Sequence, residues 1–381
     1  MERIFVDHAA TSPIHPKVAD TMLEIMKSNF GNPSSIHSFG REARKIIDDS
    51  RTVLADSIGA KPNEVIITSG GTEADNYALI GIAEGYQHKG KHIITSQIEH
   101  HAVLHTCEQL EKRGFEVTYL PVDNTGRISL ADLKASLRDD TILVSIMFGN
   151  NEVGTIQLVE EIGGIVKDSS AFFHTDAVQA YGLIPINVNE LNIDLMSVSA
   201  HKLNGPKGIG YLYVREGIMP APRLFGGDQE RKRRPGTENV VAIAGFKEAV
   251  LIAQTEMEEK KRLFLQYKNQ FISKLNELDV QFDVNGSHVH SLPHVLNISF
   301  PGTDVEAMLV NLDLAGIAAS SGSACTAGSI EPSHVLVAMF GKESERIRNS
   351  IRFSFGLGNT EEQIDKVAIE IAKIVKRLTK C

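Results

Sequence analysis

Hydrophobic positions along the chain fall into short, dense runs, separated by longer stretches in which apolar residues recur at helical spacing. "EVIIT" (Glu64 to Thr68), "HIITS" (His92 to Ser96), "TILVSIMFG" (Thr141 to Gly149), "AFFHTD" (Ala171 to Asp176) and "DLMSVS" (Asp194 to Ser199) read as buried strands. Amphipathic helices such as "TEADNYALIGIAEGYQ" lie between most of them. Strand, helix, strand repeated in this way predicts an α/β fold with a mainly parallel sheet covered on both faces. In such sheets ligands bind beyond the carboxyl ends of the strands.

The pattern changes after Asn239. From there to about Leu278 the sequence suits one long helix, with one Gly and no Pro. Short strands ("VLNISF", "IRFSF") and further helices follow, ending in "TEEQIDKVAIEIAKIVKRL", where Thr360 and Gln363 predict a capping box. We therefore expect a boundary near residue 255. A large domain spans 16–255, a smaller C-terminal α/β domain spans 256–381, and residues 1–15 pack with the small domain.

Composition narrows the function classes. A chain of 381 residues with formal charge −9 gives no support to a nucleic-acid or anionic-membrane role. The basic run "RKRR" (Arg231 to Arg234) is short enough to read as a solvated loop. No apolar run approaches the roughly 20 residues of a membrane span, and the N-terminus lacks the features of a signal peptide. Cys107, Cys325 and Cys381 are few and widely spaced, which suggests reduced thiols in the cytoplasm rather than a disulfide framework or a CxxC metal site. Cys107 reads as an ordinary buried thiol and Cys381 as a terminal residue.

Three successive strand ends carry candidate chemistry. In "VIITSGGTEADN" a strand runs through Gly70, Gly71 and Thr72 into a helix, which suits a phosphate cradle and serves equally as a tight connection. It matches neither GxxxxGK[ST] nor GxGxxG. In "SVSAHKLNGPKG", Lys202 ends an otherwise apolar strand, with Ser199 and His201 beside it. A lysine there is a Schiff-base candidate, and the plain alternative is a surface lysine. In "FFHTDAVQAYG", Asp176 suits a pyridine nitrogen and Gln179 a phenolic oxygen on the same ring, while a helix N-cap is the plain reading of the aspartate.

The runs "SxxHKxxGPKG", "TDAVQ", "SGGTEADN", "GNNEVG", "FGNPSS" and "SSGSACT" together resemble the cysteine desulfurases of the NifS/IscS type, class V, fold-type I pyridoxal-phosphate enzymes. The resemblance runs from "DHAATSP" to "IRFSFG" and implies a seven-stranded, mainly parallel sheet plus a smaller C-terminal domain. It implies that Lys202 carries the cofactor, pyridoxal 5'-phosphate (PLP), that Asp176 holds the pyridine nitrogen and that His100 stacks on the ring. Gln179 would meet the phenolic oxygen, and Gly71, Thr72, Ser199 and His201 the phosphate. Thr237 would reach a phosphate in the other subunit of a homodimer. Asn151 and Arg352 would grip the substrate carboxylate, with Asn32 and Ser34 at the same entrance; Asn151 also counts among the cofactor contacts.

The resemblance further implies a reaction. Lys202 acts as base at Cα of L-cysteine, and the Cys325 thiolate attacks the substrate sulfur. The products are L-alanine and a Cys325 persulfide, destined for an iron–sulfur scaffold protein or a tRNA-thiolation enzyme. His100 is the candidate proton acceptor. Gly322, Gly328 and the small residues around Cys325 suit a segment that swings between cofactor and acceptor. A class V aminotransferase, a selenocysteine lyase and a non-catalytic sulfur carrier are the rivals, and Cys325 argues against the first. The pair His101 and His105 lacks an HExxH pattern or a third ligand, so no resident metal is expected. Cys325 itself is a candidate for transient contact with a cluster on a scaffold partner.

Overall fold

The computed structural model describes residues 2–322 and 332–379, and the backbone of 325–326 and 329–330. Seven strands form the main sheet: β1 (Val65–Thr68), β2 (His92–Ser96), β3 (Glu116–Leu120), β4 (Thr141–Ser145), β5 (Phe172–Asp176), β6 (Leu195–Ser199) and β7 (Gly210–Val214). Their spatial order is β1-β7-β6-β5-β4-β2-β3. Strands β3, β2, β4, β5 and β6 are mutually parallel, and β7 runs antiparallel to both neighbours.

Both faces of this sheet are apolar, as expected of a covered parallel sheet. Val65, Ile67, Ile94, Val144, Met196 and Val198 face one core with the helices Pro16–Ser28 and Ser38–Asp56. Ile66, Ile93, Leu143, Leu195 and Leu212 face the other, with the helices Gly71–Tyr86 and His101–Glu111. The five sequence-read strands are all present, although β4 stops at Ser145 and the apolar "IMFG" continues as irregular backbone. The two strands not read from sequence have clear reasons. β3 is an edge strand with exposed Glu116, and β7 begins and follows on glycines that break the apolar run.

The helix Val240–Glu277 runs for 38 residues. Val240, Ile243, Phe246 and Val250 pack into the core of the main sheet, whereas Phe264, Tyr267, Phe271 and Leu275 pack into a separate core. That second core lies against a three-stranded antiparallel sheet, Ser350–Ser354, Val295–Ser299 and Asp283–Asn285 in that order. Ile4 and Val6 also belong to it. In the last helix, Glu361–Leu378, only half of the capping box forms. Thr360 accepts from the Gln363 N–H, but the Gln363 side chain donates to Glu2 instead of turning back to its cap. The N-terminal segment outcompetes the local contact.

Gly210 is where the sheet and the cofactor-side turn touch. A Cβ there would lie 2.3 Å from the Val198 carbonyl oxygen and 2.9 Å from Gly70 Cα, both backbone atoms. Gly210→Ala therefore forces backbone shifts costing about 1–3 kcal/mol or more, expected as a lower thermal midpoint.

Candidate active site

The carboxyl ends of β1, β2, β5 and β6 open on one side of the sheet and deliver the candidate groups there. With Arg352 from the second sheet they line a cavity of about 390 Å³, near the lower end of the range for small-molecule sites. Lys202, Asp176, Gln179, His100, Asn151 and Arg352 all border it, as do Gly71, Thr72, Ser199 and His201.

Lys202 donates through Nζ to the carbonyl oxygens of Ala9 and Ala10. Burial, reinforced by nearby Arg352, pulls its pKa down to about 8, which makes the free amine accessible near neutrality. Asp176 is buried, with one carboxylate oxygen accepting from Val178 N–H at 2.9 Å. Burial raises its pKa, and the His100 ring and Lys202 offset part of that rise. Near it sits Asp75, buried on the helix Gly71–Tyr86, with Oδ1 making no hydrogen bond among the described residues and lying 3.7 Å from His174 Nε2. Asp75, His100 and Asp176 offer ligand atoms all within 4.8 Å of one another. Gln179 spans from the Ala9 carbonyl, to which its Nε2 donates at 2.9 Å, to His294 Nε2 at 3.3 Å.

At the other end, Gly70 has φ 151° and passes the chain into the helix that starts at Gly71. A Cβ on Gly71 would stand 2.8 Å from Val178 Cγ2, so glycine keeps the first N–H groups of that helix open to the cavity. His201 meets Thr11 Oγ1 at 3.0 Å, and burial lowers its pKa to about 4. Arg352 is held by Asp7, at 2.7 Å from Nη2, and by the Asn151 carbonyl, at 3.1 Å from Nη1. Its Nε is buried without a partner among the described residues.

The family described as Aminotransferase class-V matches residues 4–367. The chain belongs to that family. Within the class-V aminotransferases it is 59% identical over 379 residues to the putative cysteine desulfurase IscS 1 of Bacillus subtilis (strain 168), covering all of both chains. It is 50% identical to the cysteine desulfurase IscS of Methanosarcina thermophila, over 98% of this chain and 92% of that one. A solved NifS-like protein superposes with TM-score 0.92 at 37% identity, over 99% of this chain and 100% of its own. The NifS/IscS resemblance seen in the motifs is thus matched across the chain's whole length, and so is the fold.

Not every group named from sequence meets in the class-V cavity. Thr237 is exposed on the loop before the long helix and does not border it. Asn32, whose Oδ1 caps Ser34 N–H at 2.9 Å, and exposed Ser34 stand outside it too. The side chain of Cys325 lies outside the described residues, as do Gly328 and Cys381; the backbone at Cys325–Thr326 pairs antiparallel with Ser329–Ile330. Ser320 and Gly322, which lead into that segment, do line the cavity. Cys107 is fully buried, and burial pushes its thiol pKa far up, so it is inert.

The "RKRR" loop needs correcting. Arg231 and Lys232 are exposed, but Arg234 pairs with Glu73 at 2.8 Å and the Arg233 carbonyl accepts from Tyr77. Glu230 beside them makes a buried pair with Arg51 at 2.6 Å, so the run is anchored rather than solvated. His101 lies 4.7 Å from His334 and 4.9 Å from His105 between ring centroids. Asp75, Glu152, Ala9, Ala10 and Asp7 were missed as site groups. Asp75 and Glu152 sat within quoted motifs but looked like helix and turn residues, and both alanines act through carbonyls, which carry no residue-type signal.

Proposed function

We propose that this class-V protein is a PLP-dependent cysteine desulfurase that converts L-cysteine to L-alanine and leaves the sulfur as a persulfide on Cys325. The observation that carries this reading is convergence. Lys202, Asp176 and Gln179 from the main sheet and Arg352 from the second sheet meet in one cavity, whose wall includes the stem of the Cys325 segment. The names of its relatives and the Cys325 segment favour this over transamination.

The residues fit PLP. Two buried acids, one of them with an oxygen that makes no hydrogen bond, suit a protonated ring nitrogen, and the helix start at Gly71, with Thr72, Ser199 and His201, suits a phosphate. Gln179 would face the phenolic oxygen and His100 the ring face. When bound, PLP supplies an aldehyde for Lys202 and a ring that takes up the electron pair released at the substrate Cα.

The chain's own groups do the rest. Arg352, which borders the cavity, receives the carboxylate of L-cysteine beside Asn151. Lys202 takes the proton from Cα. His100 accepts the proton of the substrate thiol. The Cys325 thiolate then attacks the substrate sulfur: an S–S bond forms, the Cβ–S bond breaks, and its electron pair stays on carbon. That carbon takes a proton to become a methyl group, and Lys202 returns a proton to Cα, which gives L-alanine.

Further parts of the reading follow. The sulfur passes from Cys325 to an acceptor, an iron–sulfur scaffold protein or a tRNA-thiolation enzyme. The protein works as a homodimer, with Thr237 serving the partner subunit's phosphate site and Asn32 near the shared entrance. Exposed Phe30 (80%), Ile36 (91%) and Phe225 (89%) near these loops support such an interface. The chain divides at about residue 255, with 1–15 joined to the smaller part. Its site is the cytoplasm, a reading supported by the three spaced cysteines.

Incubating the PLP-loaded protein with L-cysteine and assaying alanine and protein-bound sulfur tests the reading. Both are expected; no alanine above background overturns it. The rate of PLP uptake is expected to rise with pH around the Lys202 pKa of about 8, because only the unprotonated amine attacks the aldehyde. A folded pKa lowered from 10.5 also means that the folded state binds fewer protons across that window. The contribution of this group to the stability of the PLP-free protein therefore rises from pH 8 to 10.5 and is lost as pH falls through 8. Thermal midpoints of PLP-free wild type and Lys202→Ala against pH check the sign.

A further inference from the structure

The N-terminal strand Ile4–Phe5 continues into a strap that crosses the cavity between the two cores. Val6 N–H donates to the Ala318 carbonyl at 2.9 Å, and the Val6 carbonyl accepts from Ser354 N–H at 2.8 Å, so the strap begins locked beside the strand that carries Arg352. It ends locked to the other side, with Ser12 N–H on the His201 carbonyl at 3.1 Å. Between these anchors the Ala9 and Ala10 carbonyls hold Lys202, and Ala9 also holds Gln179. Asp7 faces Arg352. Its side chain is 18% exposed and that of Arg352 is 5% exposed, so this pair is largely out of water.

A buried guanidinium without a counter-charge is costly, and one held by a single contact rotates. Asp7 takes Nη2 and the Asn151 carbonyl takes Nη1, which together leave Nε unpaired. We propose that Asp7 is a positioning residue for the substrate-carboxylate subsite: it fixes the plane of the Arg352 guanidinium on the cavity wall and sets how strongly that guanidinium takes a carboxylate. This rests on the desulfurase reading and goes beyond it by assigning substrate affinity to the strap.

The same contact reaches Lys202. Arg352 works against its ammonium form, while Asp176 and Asp7 support it. His201 and His294, both held neutral by burial, are the other titratable groups around it. Loss of the Asp7 charge therefore lets Lys202 shed its proton at lower pH.

Two variants separate orientation from charge. Asp7→Asn keeps an acceptor oxygen for Nη2 and removes the charge; Asp7→Ala removes both. In PLP-loaded protein, Asp7→Ala is expected to raise KM for L-cysteine, and Kd for L-alanine by calorimetry, by roughly tenfold, the worth of a hydrogen bond to a charged group. Its kcat changes less. Asp7→Asn restores both constants to wild type or tighter. The pH midpoint of PLP uptake moves down in Asp7→Asn, a shift that a merely structural role would not produce, and this readout stands even where Asp7→Ala fails to fold. Wild-type constants in Asp7→Ala, equal weakening in both variants, or an unmoved midpoint in Asp7→Asn each overturn the proposal. A wild-type protein that neither consumes L-cysteine nor binds L-alanine overturns the desulfurase reading instead.

Discussion

Lys202→Ala is expected to lose the visible absorbance of the PLP-loaded protein and to cut cysteine-dependent alanine formation by about a thousandfold or more, the scale of a lost positioned base and covalent anchor. Three observations make the effect this large. The amine lies on the cavity wall, its pKa is already drawn down to about 8, and two backbone carbonyls aim it. Among the described residues, no other lysine lines the cavity to take over its role. Absorbance spectra before and after gel filtration, followed by an alanine assay, check both parts. A variant that keeps the wild-type spectrum would remove the assignment of Lys202 and, with it, the cofactor reading.

Cys325→Ser is expected to keep the visible spectrum and PLP retention and to lose protein-bound sulfur altogether. Alanine formation should fall by about a hundredfold or more, because a hydroxyl is far less ionised and less nucleophilic toward sulfur than a thiol. Cys107 offers no rescue, since it is fully buried and burial pushes its pKa up. The spectrum isolates the chemistry at sulfur from the cofactor site, as the two variants fail in different places. Undiminished sulfur release by Cys325→Ser would instead favour a lyase.

The fold was legible where burial is two-sided. Runs such as "HIITS" and "DLMSVS" have no exposed face, so their composition alone marks them as strands of a covered sheet. Edge strand β3 and antiparallel β7 were not legible, because half-exposed positions and flanking glycines remove the signal. Lys202, Asp176 and the Gly70–Gly71 turn were readable because each ends a strand, and parallel topology sends those ends to one side. The Thr360 cap was readable, but its partner was not: Gln363 finds Glu2 from the opposite end of the chain.

By itself the sequence determined which residue types stand at the strand ends, and so the chemistry on offer: an amine, an acid, an anion cradle and a thiol in a small-residue segment. Only the tertiary structure decided which groups share the cavity. It brought Arg352 across from a separate core, set Asp75 under Asp176 and laid Asp7, Ala9 and Ala10 through the middle. The reason is physical. Local pattern fixes an element and its faces, whereas these contacts join residues as far apart as Asp7 and Arg352, and some of them use backbone carbonyls that every residue possesses.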